Sequence, residues 1–288
     1  MMRHLRYAAG KVLPEWIKRT IRPQLFGYRN ASVGRDWVLD ERETCVELQA
    51  CGLTARFPTN MRDALQYHCI ANGESIEELH GFVAHARQNG GLLFDVGAAD
   101  GLFSILHCLS NTSNRAIAFE PSDVLAARIP VASKLNDLND RITVLEAAVG
   151  RTQSALSADV SSCGMLVIGP SSGDKMIEVV TLDDMIEKFG VPTVIKIDVE
   201  GYEAEVLAGA HRVLADCGPT LFLELHLDML ENKGIPASRL TRLLSDCGYK
   251  FETSLGRSLS ARQIASSARA VIRFVAKSAK GVKGFIPR

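Results

Sequence analysis

From about Leu92 onward the chain alternates short apolar runs with longer stretches whose apolar residues recur every three or four positions. "LLFDV", "AIAF", "ITVL", "TVIKI" and "TLFLEL" carry little polar alternation, the pattern of strands buried on both faces. The stretches 102–110, 122–135, 203–214 and 236–247 read as helices. Strands alternating with helices predict an α/β fold built on a doubly wound, mainly parallel sheet. Between the third and fourth strands, "GMLVIGPSSGDKMIEVV" reads as a hairpin around a Gly/Pro/Ser turn, an antiparallel insertion. Near the end of the chain, Ile264, Ala268, Val271, Ile272, Val275 and Ala279 fall on one side of a helical wheel. Arg262, Arg269, Arg273, Lys277 and Lys280 fall on the other, which predicts a basic amphipathic helix. The organisation that follows is a basic segment over 1–30, a cap of short strands and a helix over 31–90, a main domain over 91–255, and a helical tail over 256–288.

Charge sharpens this division. The whole chain is neutral, with 33 basic and 33 acidic residues, yet residues 1–30 carry seven Lys/Arg against Glu15 alone and residues 256–288 carry eight and no acid. The body between them holds 18 basic and 32 acidic residues, a net of −14, which argues against nucleic acid as the ligand of the core. The basic ends suit peripheral attachment to an anionic membrane, each residue adding about 1 kcal/mol of attraction. The seven cysteines form no C-x-x-C pair and are odd in number, so a zinc or disulfide framework is not expected. No apolar run reaches membrane-spanning length and no signal peptide is evident, so a cytoplasmic protein is expected.

The chemistry gathers at strand ends. "LLFDVGAADGLFS" carries the first strand into a helix through Gly97 and Gly101, where bare backbone lets a ligand approach closely. A dinucleotide pyrophosphate requires a turn free of negative charge, whereas this turn carries Asp95 and Asp100 and lacks the G-x-G-x-x-G spacing. S-adenosylmethionine, with its ammonium and sulfonium, suits those acids better. Glu120 ends the second strand in "AFEPS", where an acid can accept hydrogen bonds from ribose hydroxyls. Ala147 and Ala148 after the third strand leave room for a flat adenine. "GPSSGDK" at 169–175 lacks the spacing of a phosphate loop and is not a nucleotide site.

The fourth strand, "TVIKIDVEG", puts Lys196 and Asp198 on one face, with Glu200 in the turn that follows. The fifth, "LFLELH", puts Glu224 and His226 on a common face. Methyl transfer to a hydroxyl needs an acceptor oxygen in line with the sulfonium methyl and a group to take its proton. Asp198 or His226 fits the base, with Glu200 and Glu224 orienting the acceptor. The plainer alternative is that Lys196 pairs with Asp198, and Glu224 with His226, only to satisfy one another. Oxygens of Asp198, Glu200 and Glu224, with His226, are compatible with a divalent metal, but no spacing specifies one and none is predicted.

With "DVGAADG", "FEPS", "TLDD", "KIDVEG" and "LELH" in that order, the sequence resembles the FkbM-type S-adenosylmethionine-dependent methyltransferases over about residues 90–227. "KIDVEGYEAEVLAGA" is the most specific part. The resemblance implies a class I, Rossmann-like methyltransferase domain that uses S-adenosylmethionine to methylate hydroxyls of sugars, polysaccharides or related small metabolites. It implies that Asp95, Gly97, Ala98 and Gly101 line the methionine end, that Glu120 and Pro121 lie at the ribose, and that Lys196, Asp198 and Glu200 sit at the reaction site. Where the family commonly has Asn after "DVGA", this chain has Ala99. The other functions weighed are an NAD-linked oxidoreductase and a membrane-associated scaffold on a degenerate methyltransferase fold.

Overall fold

The computed structural model describes residues 38–41, 44–61, 65, 73–160, 166–168 and 176–282. Its centre is an eight-stranded sheet. The parallel part comprises β4 (Leu92–Val96), β5 (Arg115–Phe119), β6 (Ile142–Leu145), β11 (Val194–Ile197) and β12 (Thr220–His226). Three antiparallel strands extend it: β13 (Tyr249–Glu252), β14 (Ser258–Leu259) and β15 (Val271–Ser278). The spatial order is β14-β13-β15-β12-β11-β4-β5-β6. The chain therefore runs outward from β4 to β6 and then returns to β4's other side at β11. The reversal between β4 and β11 is a topological switch point, where open α/β sheets leave a crevice beyond the strands' carboxyl ends.

The expected helices are present: α2 (Leu102–Ser110), the pair α3 (Asp123–Ala126) and α4 (Arg128–Leu135), α6 (Glu203–Ala208) and α8 (Ala237–Asp246). They are joined by α5 (Leu182–Phe189) and α7 (Leu227–Asn232). Alternation along each strand sends residues to two apolar cores. Phe94, Ile117, Ile195, Leu223 and Phe274 enter one, while Leu93, Ala116, Val194, Phe222 and Val275 enter the other. The second core also takes in α1 (Gly73–Gln88), through Leu79, Phe82 and Val83, and strands β2 (Val46–Ala50) and β3 (Leu53–Phe57) of an antiparallel meander whose third strand is β1 (Val38–Glu41). The segment read as a cap thus shares its core with the sheet.

Two expectations are corrected. The basic amphipathic helix of the tail is instead a capped turn of helix, α9 (Ala261–Ala265), followed by β15. Val271, Ile272 and Val275 are β-branched and favour a strand, although a helical wheel also collects them on one side. Between β12 and β13 the strand buries Phe274, Val275 and Ala276 and closes the sheet. Arg273 and Lys277, expected on the basic side of that helix, pair with Glu224 and Glu252. The basic residues of 1–30 lie outside the described residues. The insertion also differs in partner. β9 (Leu166–Ile168) and β10 (Met176–Val180) each pair antiparallel with β8 (Ser154–Val160), and β10 runs parallel to β7 (Ala147–Val149). "SALSADV" alternates small and polar residues too weakly to announce a strand.

Candidate active site

On the face that carries the second core, the strands change character toward the crevice. Leu93 is followed two residues on by Asp95, Val194 by Lys196, and Phe222 by Glu224 and then His226. Antiparallel β15 meets them in reverse, with Arg273 before Val275 and opposite Glu224. Lys196 lies opposite Asp95 and Phe222. The pleat thereby turns one apolar layer into a row of charges.

The β4 turn is built by backbone contact. Gly97 has φ +77°, and a Cβ there would stand 1.9 Å from the Asp198 carbonyl oxygen, so the ends of β4 and β11 touch. The N–H groups of Gly97 and Ala98 both donate to Phe119 O at 3.0 Å. Gly101, at φ +82°, opens α2. Asp95 is 1% exposed and accepts from the Ser104 N–H at 3.0 Å and its hydroxyl at 2.6 Å, tying β4 to the first turn of α2. Burial pushes its carboxyl up to about 6, against the bonds from Ser104. Glu120 accepts from Ala99 N–H and Ser122 N–H, each at 2.8 Å, and burial pushes it up to about 7. Each carboxylate oxygen keeps a further acceptor position for ribose hydroxyls. Pro121 links Glu120 to Ser122, the N-cap of α3. Ala147 is buried in the first core and Ala148 is half-buried, both on β7. Asp100 pairs with Arg128 at 2.9 Å.

At the ends of β11 and β12 the charges meet one another. Lys196, 1% exposed, donates to Glu78 of α1 at 2.8 Å and lies 3.8 Å from Asp198 and 3.7 Å from Glu224. Burial opposes its charge, but the three carboxylates outweigh burial and raise its pKa. Arg273 grips Glu224 through both Nε and Nη2 and reaches Glu78 at 3.4 Å. His226 Nδ1 stands 2.9 Å from Glu203 Oε1, which also accepts the Gly201 N–H at 3.0 Å. Its Nε2 is 3.1 Å from Glu200 and about equally far from Glu224 (3.9 Å) and Asp198 (4.0 Å). Burial works against the imidazolium, yet Glu203, Asp198 and Glu200 lift it to about 10, so the proton rests on His226 at neutral pH. Burial raises the Glu224 and Glu200 carboxyls. Five carboxyls (Glu78, Asp198, Glu200, Glu203, Glu224) face three cations (Lys196, His226, Arg273), and because burial raises Glu200 and Glu224 into partial protonation near neutral pH, the charges of the cluster nearly balance.

Sequence reasoning missed Glu78, Ser104, Glu203 and Arg273. A lone Arg inside the apolar run "VIRFVA" and an acid three positions after Glu200 are signals that could have found two of them. The "TLDD" motif serves the scaffold. Thr181 caps α5, and Asp183 accepts from the N–H groups of Arg212 and Val213. Atoms of Asp198, Glu224 and His226 lie within 4.8 Å of one another, a spacing open to a divalent metal. The set does not fit one, because Lys196 stands 3.8 Å from Asp198 and 3.7 Å from Glu224 and Arg273 grips Glu224, so two cations at the cluster would repel a dication. It does fit S-adenosylmethionine. Glu120 stands at the next strand end with acceptor positions open to ribose hydroxyls, and the partly exposed carboxylate of Asp198 complements an ammonium or a sulfonium.

The description "Methyltransferase FkbM domain" matches residues 95–251. Hexuronic acid methyltransferase AglP of Haloferax volcanii is 24% identical over 235 residues, covering 77% of this chain and 91% of that protein. Among solved structures, methyltransferase FkbM from Methylobacillus flagellatus KT superposes with TM-score 0.42 at 19% identity, over 64% of this chain and 42% of that one. An O-methyltransferase from Bacillus cereus gives 0.44 at 12% identity, over 75% and 86%. The family match spans more than half of the 288 residues and contains every strand end from Asp95 to His226, so the protein belongs to the FkbM methyltransferase family of S-adenosylmethionine-dependent enzymes.

Proposed function

We propose that this protein transfers the methyl group of S-adenosylmethionine to a hydroxyl of a sugar or polysaccharide, with Asp198 as general base. The observation that carries this reading is Asp198's position at the seam. Its carbonyl presses on Gly97 in the cofactor turn, while its carboxylate faces Lys196 at 3.8 Å and His226 at 4.0 Å. It is the strand-end acid that belongs to both halves of the crevice. Bound S-adenosylmethionine supplies an electrophilic methyl. Asp198 would hold the acceptor hydroxyl and take its proton. His226, charged and held by Glu203, stabilises the negative charge that develops on the acceptor oxygen as its proton leaves. Lys196, buried at 1% exposure, positions Asp198 and Glu224.

A sugar acceptor is supported by AglP, whose name specifies a hexuronic acid. Asp198, as the base, supports a neutral hydroxyl over a carboxylate, which would approach it against like charge. The test is methyl transfer from labelled S-adenosylmethionine, with EDTA present, to paired neutral glycosides and glycuronides. An alkali-stable methyl ether on a hydroxyl is the expected product. An alkali-labile ester on the uronate would overturn the hydroxyl assignment, and cofactor binding without transfer to any sugar would overturn the acceptor class.

A further inference from the structure

Away from the crevice, the β2–β3 hairpin and α1 enclose an open groove of about 680 Å³, lined among others by Gln49, Cys51, Leu53, His80, Val83 and Arg87. That is the size of a small-molecule site. The hairpin turns through two residues, Cys51 at φ +52° and Gly52 at φ +70°, with Ala50 and Leu53 paired on either side. Such turns favour Asn, Asp or Gly, because both central residues adopt a left-handed conformation. Cysteine therefore stands at a strained position. Its Sγ is 3.3 Å from His80 Nδ1, and Arg87, two turns further along α1, donates to Cys51 O at 2.5 Å.

We propose that Cys51 is a reactive thiol and that the groove seats a small acidic disulfide, with which it exchanges. A Cys–His pair is the arrangement that generates a nucleophilic sulfur. Among the described residues lining the groove, the titratable or charged side chains besides the thiol are His80 and Arg87, both from α1, and no Asp or Glu is present. In a body with a net charge of −14, that lining favours an anionic partner. The other described cysteines differ. Cys45, Cys108 and Cys217 are buried, and burial pushes the Cys108 thiol up to about 12 and raises Cys217 and Cys247.

In the exchange, the thiol proton passes to His80 and the Cys51 sulfur attacks one sulfur of the disulfide. A new S–S bond forms as the old one breaks. The departing sulfur keeps the bonding pair of the broken S–S bond, takes the proton from His80 and leaves as a thiol, while the Cys51 lone pair forms the new bond. Arg87 pairs with a carboxylate of the bound half.

The probe is glutathione disulfide, added to the reduced full-length protein under native conditions and followed by peptide mass spectrometry. One adduct is expected, on the peptide containing Cys51. At pH 6.5 His80→Asn slows its formation about tenfold, and the gap closes near pH 9, where an ordinary thiol ionises unaided. Arg87→Gln slows the reaction with glutathione disulfide but not with uncharged hydroxyethyl disulfide. Circular dichroism of each variant, and unchanged S-adenosylmethionine affinity in Cys51→Ser, separate this site from the crevice. Adducts spread evenly over several cysteines, or a folded His80→Asn variant that reacts at the wild-type rate at pH 6.5, would overturn the proposal.

Discussion

The two halves of the crevice use acidic residues in opposite ways. At the ends of β4 and β5, Asp95 and Glu120 accept hydrogen bonds from backbone N–H groups and the Ser104 hydroxyl, so their carboxylates fix the path of the chain. At the ends of β11 and β12, Asp198, Glu200, Glu203 and Glu224 face Lys196, His226 and Arg273, so their carboxylates set an electrostatic field. One half is a mould and the other a charge array. Cofactor recognition needs a shape complementary to the ligand, whereas proton removal needs a base whose field is arranged in advance.

The sharpest way to break this division is at the seam. Asp198→Asn keeps the shape and the contact with Gly97 but removes the proton acceptor. It should lower kcat by about 10²–10⁴-fold, the usual contribution of a general base, with S-adenosylmethionine affinity near wild type. Steady-state kinetics beside calorimetric binding checks both. An unchanged kcat would move the base to another group.

Next in size is the array's internal balance. Lys196→Met leaves Glu78 and Glu224 buried with less compensating charge, and removing one partner of a buried pair costs about 3–5 kcal/mol. The double variant Lys196→Met, Glu78→Leu should recover most of that stability in urea melts while activity stays low. Recovery of activity together with stability would show that Lys196 serves the fold alone.

Much of this architecture was legible from the chain. The parallel strands announce themselves because burial on both faces demands unbroken apolar runs, and the charges that interrupt "TVIKIDVEG" and "LFLELH" mark the strand ends where the candidate site's charges gather. Glu78 and Arg273 escaped because they come from outside residues 95–251 and reach the site only through tertiary packing. Arg273 was further hidden by β15, whose apolar and basic residues satisfy a helical period as well as a strand's. The hydrogen bonds to Asp95 and Glu120 were equally out of reach, since a sequence reports that an acid lies in a turn and not which N–H groups turn toward it.

A third test separates the halves by pH. A group whose folded pKa is raised stabilises the fold fully below its unfolded value and loses that contribution as pH rises through the folded value. For Asp95 and Glu120, raised to about 6 and 7 by burial, the loss falls between roughly pH 4 and 7. For His226, raised to about 10 by its carboxylates, it falls between about 6.5 and 10. The difference in Tm between wild type and Glu120→Gln should therefore change across the acid window and be flat above it, whereas that for His226→Asn should be largest below pH 6.5 and shrink toward pH 10. Thermal melts across pH 4–10 read both. Identical windows for the two variants would mean that the halves titrate as one network.

The smallest effect concerns backbone strain that both halves share. Ala99 has φ +47° and Glu200 φ +49°, each left-handed without being glycine, a conformation that costs an ordinary residue roughly 1–2 kcal/mol. Asn tolerates it better, and Asn is the residue that the family resemblance places at 99. At Ala99 the backbone is what matters, because its N–H holds Glu120 while its methyl group carries no charge. Ala99→Asn should therefore raise stability by about 1 kcal/mol, a few degrees in Tm, and leave kcat unchanged. Glu200→Asn should gain a similar amount from the backbone but remove the carboxylate 3.1 Å from His226 Nε2, so kcat falls while Tm holds or rises. The same relief of strain thus costs activity in the charge array and nothing in the mould. A Glu200→Asn variant with full activity would show instead that the acid was placed there for the turn, and that the array ends at Asp198.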